Sequence, residues 1–384
     1  MPKPANRITL SAPKNFGMFA RALSVPGDLI HLELGMPAAD TPAHIKQATI
    51  QALHDGHVHY SDLRGIEPLR DALAKKLRDQ NGLVVTADDI LITNGLTQAS
   101  FAAFMALLDP GDECILPEPY YPQHLGKIEL AGAVPVLAPL EGPEFAITRE
   151  ALEPHITDRT KMISIVNPCN PTGRVYSRAE LQVIADLANA HDLWVISDEV
   201  YEHIVYDGSH ISVASLPEMA ARTITMSAFT KAYAMDGWRI GYLVAHADIM
   251  PALLKITTNE VTHVNTFIQY GAVAALTGPP EALAGMVADD RAARHLVVAR
   301  LNQMPGVTCP EPEGTIYAFP DITATGIASQ DLAEKMMLDA SVVVEAGSFY
   351  GIAGEGHLRV CFGAQPMDRL REAMDRMQTF FNNL

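Results

Sequence analysis

Only four cysteines occur in the 384 residues, Cys114, Cys169, Cys309 and Cys361, and no two share a CxxC spacing. That scarcity argues against a disulfide framework and a cysteine-ligated zinc centre, and it favours a reducing cytoplasm. Basic residues are also few, 28 Lys and Arg against 45 Asp and Glu, for a formal net charge of −17. Such a chain lacks the basic stripe that neutralises a nucleic-acid backbone, although one or two local cations would still hold a small anion. No apolar run approaches the roughly 18 residues of a membrane span. The longest candidate, "ASFAAFMALLDPGDE", breaks at Asp109-Pro110-Gly111. The opening "MPKPANRITLSAPKNFGMFARAL" is basic without the apolar core of a secretory signal. The expectation is therefore a soluble cytoplasmic protein with no nucleic-acid or membrane partner.

What is present reads as globular: 48% hydrophobic and 19% charged residues exclude general disorder. The length is too great for one simple core and predicts two units. In "TPAHIKQATIQAL", Thr41 is placed to cap a helix with Pro42 at its first position. "GIEPLRDALAKKLRDQNG" has helical spacing and stops at Asn81-Gly82. Strands and helices then alternate. "DDILITNG", "ECILPEPYY", "VPVLAPL", "TKMISIV", "LWVISDEVY" and "RTITMSAFTK" read as strands, with "LTQASFAAFMALL" and "SRAELQVIADLANAHD" as helices. This order predicts βαβ units around a mainly parallel sheet. The last hundred residues read as a smaller α+β unit.

Sheets of this kind place ligands beyond the carboxyl ends of their strands. There the sequence delivers Gly95-Leu96-Thr97 at a helix start suited to phosphate, then Tyr120 and Tyr121, Asn167 and Asn170, Asp198 with Tyr201, and finally Lys231. Singly, each has an ordinary explanation: a capping Asp, a packing Tyr, a rigid turn, a surface lysine. One rim carrying all of them is harder to explain that way. Other features stay bland. His54, His57 and His59 lack a carboxylate or thiol to complete a metal site, "GIAGEGH" leads into a strand rather than a helix, and Cys169 is a small filler.

In order and spacing, "NPCNPTG", "ISDEVY" and "FTKAYAMDGWRIGY" resemble the class I/II aminotransferases, fold-type I pyridoxal-phosphate enzymes, and the likeness runs from "LELGMP" to "HLRVCFG". The resemblance implies an α/β fold: a mainly parallel, seven-stranded central sheet with helices on both faces, plus a smaller α+β domain. It divides the chain into an N-terminal segment 1–40 packing on the small domain, a large coenzyme-binding domain 41–280 and a small domain 281–384. It implies pyridoxal 5'-phosphate as cofactor, held through an imine to Lys231, which also shuttles the proton at the substrate's Cα. Asp198 would pair with the ring nitrogen, Tyr201 and Asn170 with the phenolic oxygen, and Tyr121 would stack on the ring. Arg239 and the backbone at Gly95, Leu96 and Thr97 would hold the phosphate; with Ala228 at a position where the family often has Ser or Gly, a hydroxyl contact is either lost or supplied by Ser227 or Thr230. Tyr60 matches a tyrosine that family members reach across a homodimer to the neighbour's phosphate. Arg359 matches the clamp for the substrate α-carboxylate, with Gly35 near it.

Some positions depart from the family pattern. Ala228 stands where Ser or Gly is frequent, "GMPAAD" replaces "GEPDF", and "TTNEVTHVNTFIQYGA" contains no arginine for a second carboxylate. The expected reaction is ping-pong transfer of an amino group from a neutral or aromatic L-amino acid to 2-oxoglutarate or pyruvate. A C–S β-lyase on the same fold is the alternative, since the same lysine and aspartate serve both. A coenzyme-sensing regulator is disfavoured because no basic helix-turn-helix stands before "LELGMP".

Overall fold

The computed structural model describes residues 17–384 together with Pro2, Ala5 and Ile8, so part of the expected segment 1–40 lies outside the described residues. Seven strands form the central sheet. From one edge they run Ile90–Thr93, Gly241–Val244, Thr223–Ala228, Trp194–Asp198, Thr160–Val166, Glu113–Glu118 and Val134–Pro139. Gly241–Val244 is antiparallel to both neighbours, and the remaining pairings are parallel. The sheet is mainly parallel, as expected. Gly241–Val244 was not foreseen, because four apolar residues after a turn-rich loop give too short a signal to separate from packing.

Strands covered on both faces need apolar residues of both parities, and these have them. Ile163, Ile165 and Val195 pack against Leu181, Ile184 and Leu187 of the helix Arg178–Ala190. Met162, Ile196, Ile224 and Met226 face the opposite side, against Ala99, Ala102 and Phe104 of the helix Leu96–Leu107 and Leu253 of Met250–Glu260. Each such fully buried aliphatic side chain contributes about 1.5–3 kcal/mol. The helix Arg178–Ala190 begins with a capping box, Ser177 accepting from the Glu180 N–H while the Glu180 carboxylate accepts from the Ser177 N–H. Thr41 does not cap its helix: Ala43–His54 starts after Pro42, and the Thr41 hydroxyl donates to the Ala234 carbonyl at 2.5 Å. A tertiary acceptor has taken the place of the local N–H.

The C-terminal part packs the helices Pro280–Leu301, Ser329–Ala340 and Met367–Asn382 around a three-stranded antiparallel sheet of Glu345–Ala346, Leu358–Cys361 and Tyr317–Ala318. The strand Ile30–His31 joins this part by pairing with Val342–Val343. Leu32 extends the join, accepting from Cys361 N and donating to Val343 O, both at 2.8 Å. The strip that follows Leu32 is thereby placed against the carboxyl rim of the large sheet. Among the described residues no helix is long and apolar enough to cross a membrane.

Candidate active site

Parallel strands that end at one rim bring distant residues together. At the first of these ends, Gly95 adopts φ 76° and ψ 172°, a backbone region nearly closed to side chains, and opens the helix Leu96–Leu107. Its bare Cα is needed twice, because a Cβ there would fall 2.7 Å from Arg239 Nη2. Arg239 itself stands at φ 54° and donates to the Asp236 carbonyl at 2.8 Å. A guanidinium thus lies against a helix N-terminus, a donor set for a phosphate-sized anion.

Lys231 is partly buried three residues beyond the strand Thr223–Ala228, with its Nζ donating to the Gly35 carbonyl. Burial pushes its ammonium down to about 8. Arg359 donates to the Glu33 carbonyl of the same strip and, at 3.0 Å, to Asn170 Oδ1. Its guanidinium lies over the rings of Tyr317 and Tyr350, 4.4 and 5.0 Å from their centroids, and its buried Nε has no partner among the described residues. Gly35 leaves the room for this: a Cβ there would lie 1.9 Å from the Tyr317 oxygen. An amine and a guanidinium 128 positions apart are therefore tied to carbonyls two residues apart.

Asp198 is buried at the end of the strand Trp194–Asp198 and accepts from Val200 N–H at 3.2 Å. Its Oδ2 lies 3.5 Å from Nε2 of His124, whose Nδ1 is 3.3 Å from the Ser164 hydroxyl. Burial lowers the His124 pKa against the pull of Asp198, which favours the neutral ring. Tyr121 packs edge-on to that ring, centroids 5.3 Å apart. Tyr201 shares a hydrogen bond with Tyr317, oxygen to oxygen 2.8 Å, and burial raises both phenols.

Two expected residues stand apart from this group. Ser227 turns to the far side, donating to Glu202 Oε1 at 3.1 Å with Glu199 O at 3.4 Å. Tyr60 is 87% exposed and meets the ring of His263 edge-on at 4.4 Å. Asn167 serves the scaffold, accepting from Tyr176 N–H at 3.0 Å. His57 stacks on Tyr270 at 4.2 Å. Sequence reasoning missed His124 and Tyr317. His124 follows Tyr121 in "PYYPQH", so extending the rim series by one helical turn would have found it. Tyr317 sits opposite Cys361 in an antiparallel ladder, a long-range pairing with no local signal.

Behind the rim lies a buried polar network. Glu199 accepts from Ser197 and Ser212, each at 2.8 Å, and lies 2.9 Å from His210 Nε2. Glu202 accepts from Asn81 at 2.7 Å and Tyr242 at 3.2 Å, and it is ion-paired with Lys76. Burial works to raise the Glu202 pKa, but the cations around it, Lys76 foremost, hold the carboxyl well below its usual range. Glu199, Glu202 and His210 bring ligand-type atoms within 4.8 Å of one another, yet the Lys76 ammonium already fills the cation's role there.

The family model for aminotransferase class I and II matches residues 27–377. An aspartate aminotransferase of Pyrococcus abyssi is 41% identical over 379 residues, covering 97% of each chain. An aromatic-amino-acid aminotransferase of Thermococcus litoralis is 40% identical over 94% of this chain and 93% of its own. Among solved structures, the aromatic aminotransferase of Pyrococcus horikoshii superposes with a TM-score of 0.90 at 39% identity, covering 95% of this chain and 98% of that one. Fold and relatives agree: the chain belongs to the class I and II aminotransferase family and is an enzyme that transfers amino groups.

Proposed function

We propose that this enzyme uses pyridoxal 5'-phosphate and moves the amino group of a neutral or aromatic L-amino acid to 2-oxoglutarate or pyruvate. The observation that carries the reading is the common anchorage of Lys231 and Arg359 on the strip Glu33–Gly35, which sets a nucleophilic amine beside a carboxylate clamp. The residues fit the coenzyme. A glycine keeps the anion cradle open against Arg239, and a buried Arg359 N–H lacks, among the described residues, a partner that a carboxylate would supply. When bound, the coenzyme supplies an aldehyde and a cationic ring that withdraws electrons from the substrate's Cα.

The chain's own residues do the rest. Lys231 Nζ, with its proton affinity lowered by burial, is more often neutral near pH 7 than an exposed lysine, and it takes and returns the Cα proton. Asp198 would hold the proton of the ring nitrogen, with Val200 N–H and His124 fixing its carboxylate. Tyr201 and Asn170 would donate to the phenolic oxygen, and Tyr121 would cover a ring face. Arg239 and the N–H groups of Gly95, Leu96 and Thr97 would hold the phosphate. Arg359 would orient the α-carboxylate, a task suited to a planar, bidentate donor. The segment Thr257–Ala272 contains no arginine, which supports a donor without a second carboxylate. Tyr60, exposed in the single chain, fits the reach of one subunit of a homodimer into its neighbour's phosphate site.

Purified protein loaded with pyridoxal 5'-phosphate tests the proposal. Phenylalanine or tyrosine with 2-oxoglutarate should yield glutamate, and alanine should form when pyruvate is the acceptor. Ammonia and pyruvate released from cysteine without any acceptor, and no new amino acid, would overturn it.

A further inference from the structure

Lys127 is a buried cation, 7% exposed, that none of the roles above employs. It lies on the helix Pro122–Leu130, one turn after His124 and on the same face. Its Nζ donates to Ser100 Oγ at 2.7 Å. That hydroxyl lies in turn 2.9 Å from Leu96 O and 3.2 Å from Thr97 O, the first turn of the helix that opens at Gly95. One ammonium therefore reaches the phosphate cradle through Ser100 and the Asp198 carboxylate through the His124 turn.

We propose, on the functional reading given above, that Lys127 is a positioning residue that couples the phosphate-cradling helix turn to the helix bracing Asp198. The pair of helices then holds the two ends of the coenzyme site at one separation. The charge has a second effect. Asp198 and Glu260 are the carboxylates that act on Lys127, neither of them in ion-pair contact with it among the described residues, and burial pushes its ammonium down to about 8. Below that pH it remains a cation. His124 is faced by Asp198, the Ser164 hydroxyl, the rings of Phe104 and Tyr121, and this ammonium, which adds to burial in disfavouring a charged imidazole.

The test uses Lys127→Met, which removes charge and hydrogen bond while keeping length, with two readouts. Coenzyme affinity of the apoprotein should fall about tenfold, the loss of one charge-assisted hydrogen bond. The His124 titration, followed by NMR of histidine-labelled apoprotein, should move to higher pH. A folded variant in which either readout matches wild type overturns the proposal, since affinity loss alone is what mere space-filling would give. If Lys127→Met does not fold, Ser100→Ala decides, because it leaves the ammonium in place. Weaker coenzyme binding with an unmoved His124 titration supports the link, and unchanged affinity sinks it. A wild-type apoprotein that takes up no pyridoxal 5'-phosphate defeats the functional reading instead, and the His124 titration then rules on Lys127 by itself.

Discussion

The phenol oxygens of Tyr201 and Tyr317 lie 2.8 Å apart, joining the loop after one large-sheet strand to a strand of the C-terminal part. Burial pushes Tyr317 up to about 12, so both phenols keep their protons near neutrality and one must donate to the other. Tyr317→Phe strands a buried hydroxyl. We expect a stability loss of about 1–3 kcal/mol by urea unfolding, together with a lower kcat as Tyr201 loses its fixed orientation. A variant as stable and as fast as wild type would show that this hydrogen bond is idle.

Arg359 is held by the Glu33 carbonyl, Asn170 and two aromatic faces, so its position is set before any substrate arrives. Arg359→Ala should weaken amino-acid binding by about 2–5 kcal/mol, seen mainly as a higher KM. Arg359→Lys should recover little of it, since an ammonium offers no planar fork. Steady-state kinetics on an L-amino acid and on the matching amine without a carboxylate separates the effect, because only the amino acid should suffer.

Lys231 gives a pH signature with a definite sign. Its folded-state pKa, about 8, lies below the ordinary 10.5, so below pH 8 the apoprotein carries the full cost of a desolvated ammonium. Between these values the unfolded chain binds more protons, and folding stability gains as pH rises. Lys231→Met removes the cost at every pH. Its stability advantage over wild-type apoprotein, measured by urea unfolding, should shrink from pH 7.5 to pH 10. An advantage independent of pH would mean that the amine is not desolvated. The same variant should show no transamination.

Gly95→Ala meets two obstacles, a backbone region unsuited to side chains and Arg239 Nη2 at 2.7 Å from the new methyl. Strain of this kind costs about 1–3 kcal/mol. Coenzyme affinity should fall by about 5- to 150-fold, with far-UV circular dichroism unchanged. Equal affinity would place the phosphate elsewhere.

The large sheet was readable because its strands are continuous apolar runs bounded by turn residues, and its rim because each strand delivers a polar residue just past its end. Lys231, Asp198 and Asn170 were legible in that way, whereas Arg359, inside the strand Leu358–Cys361 of the C-terminal part, was reached only through the family resemblance. The strand Gly241–Val244 was not legible, nor were the partners that depend on tertiary contact. Thr41 reads as a cap until Ala234 offers a carbonyl, Ser227 reads as a phosphate donor until Glu202 claims its hydroxyl, and Tyr317 reaches Tyr201 only through a ladder. Local chemistry is written in neighbours, whereas these choices depend on which distant acceptor arrives.

The network around Glu199 and Glu202 has an electrostatic consequence. Strand alternation sends Asp198 toward the rim and its acidic neighbour the other way. Lys76 neutralises Glu202 where it stands, and His210 with the hydroxyls of Ser197 and Ser212 satisfies the oxygens of Glu199. The front of the sheet is thereby screened from the Glu202 charge, which would otherwise compete for any cationic group beside Asp198. Loss of the Lys76 ammonium would be felt there as an added negative potential, without a single atom of the rim having been changed.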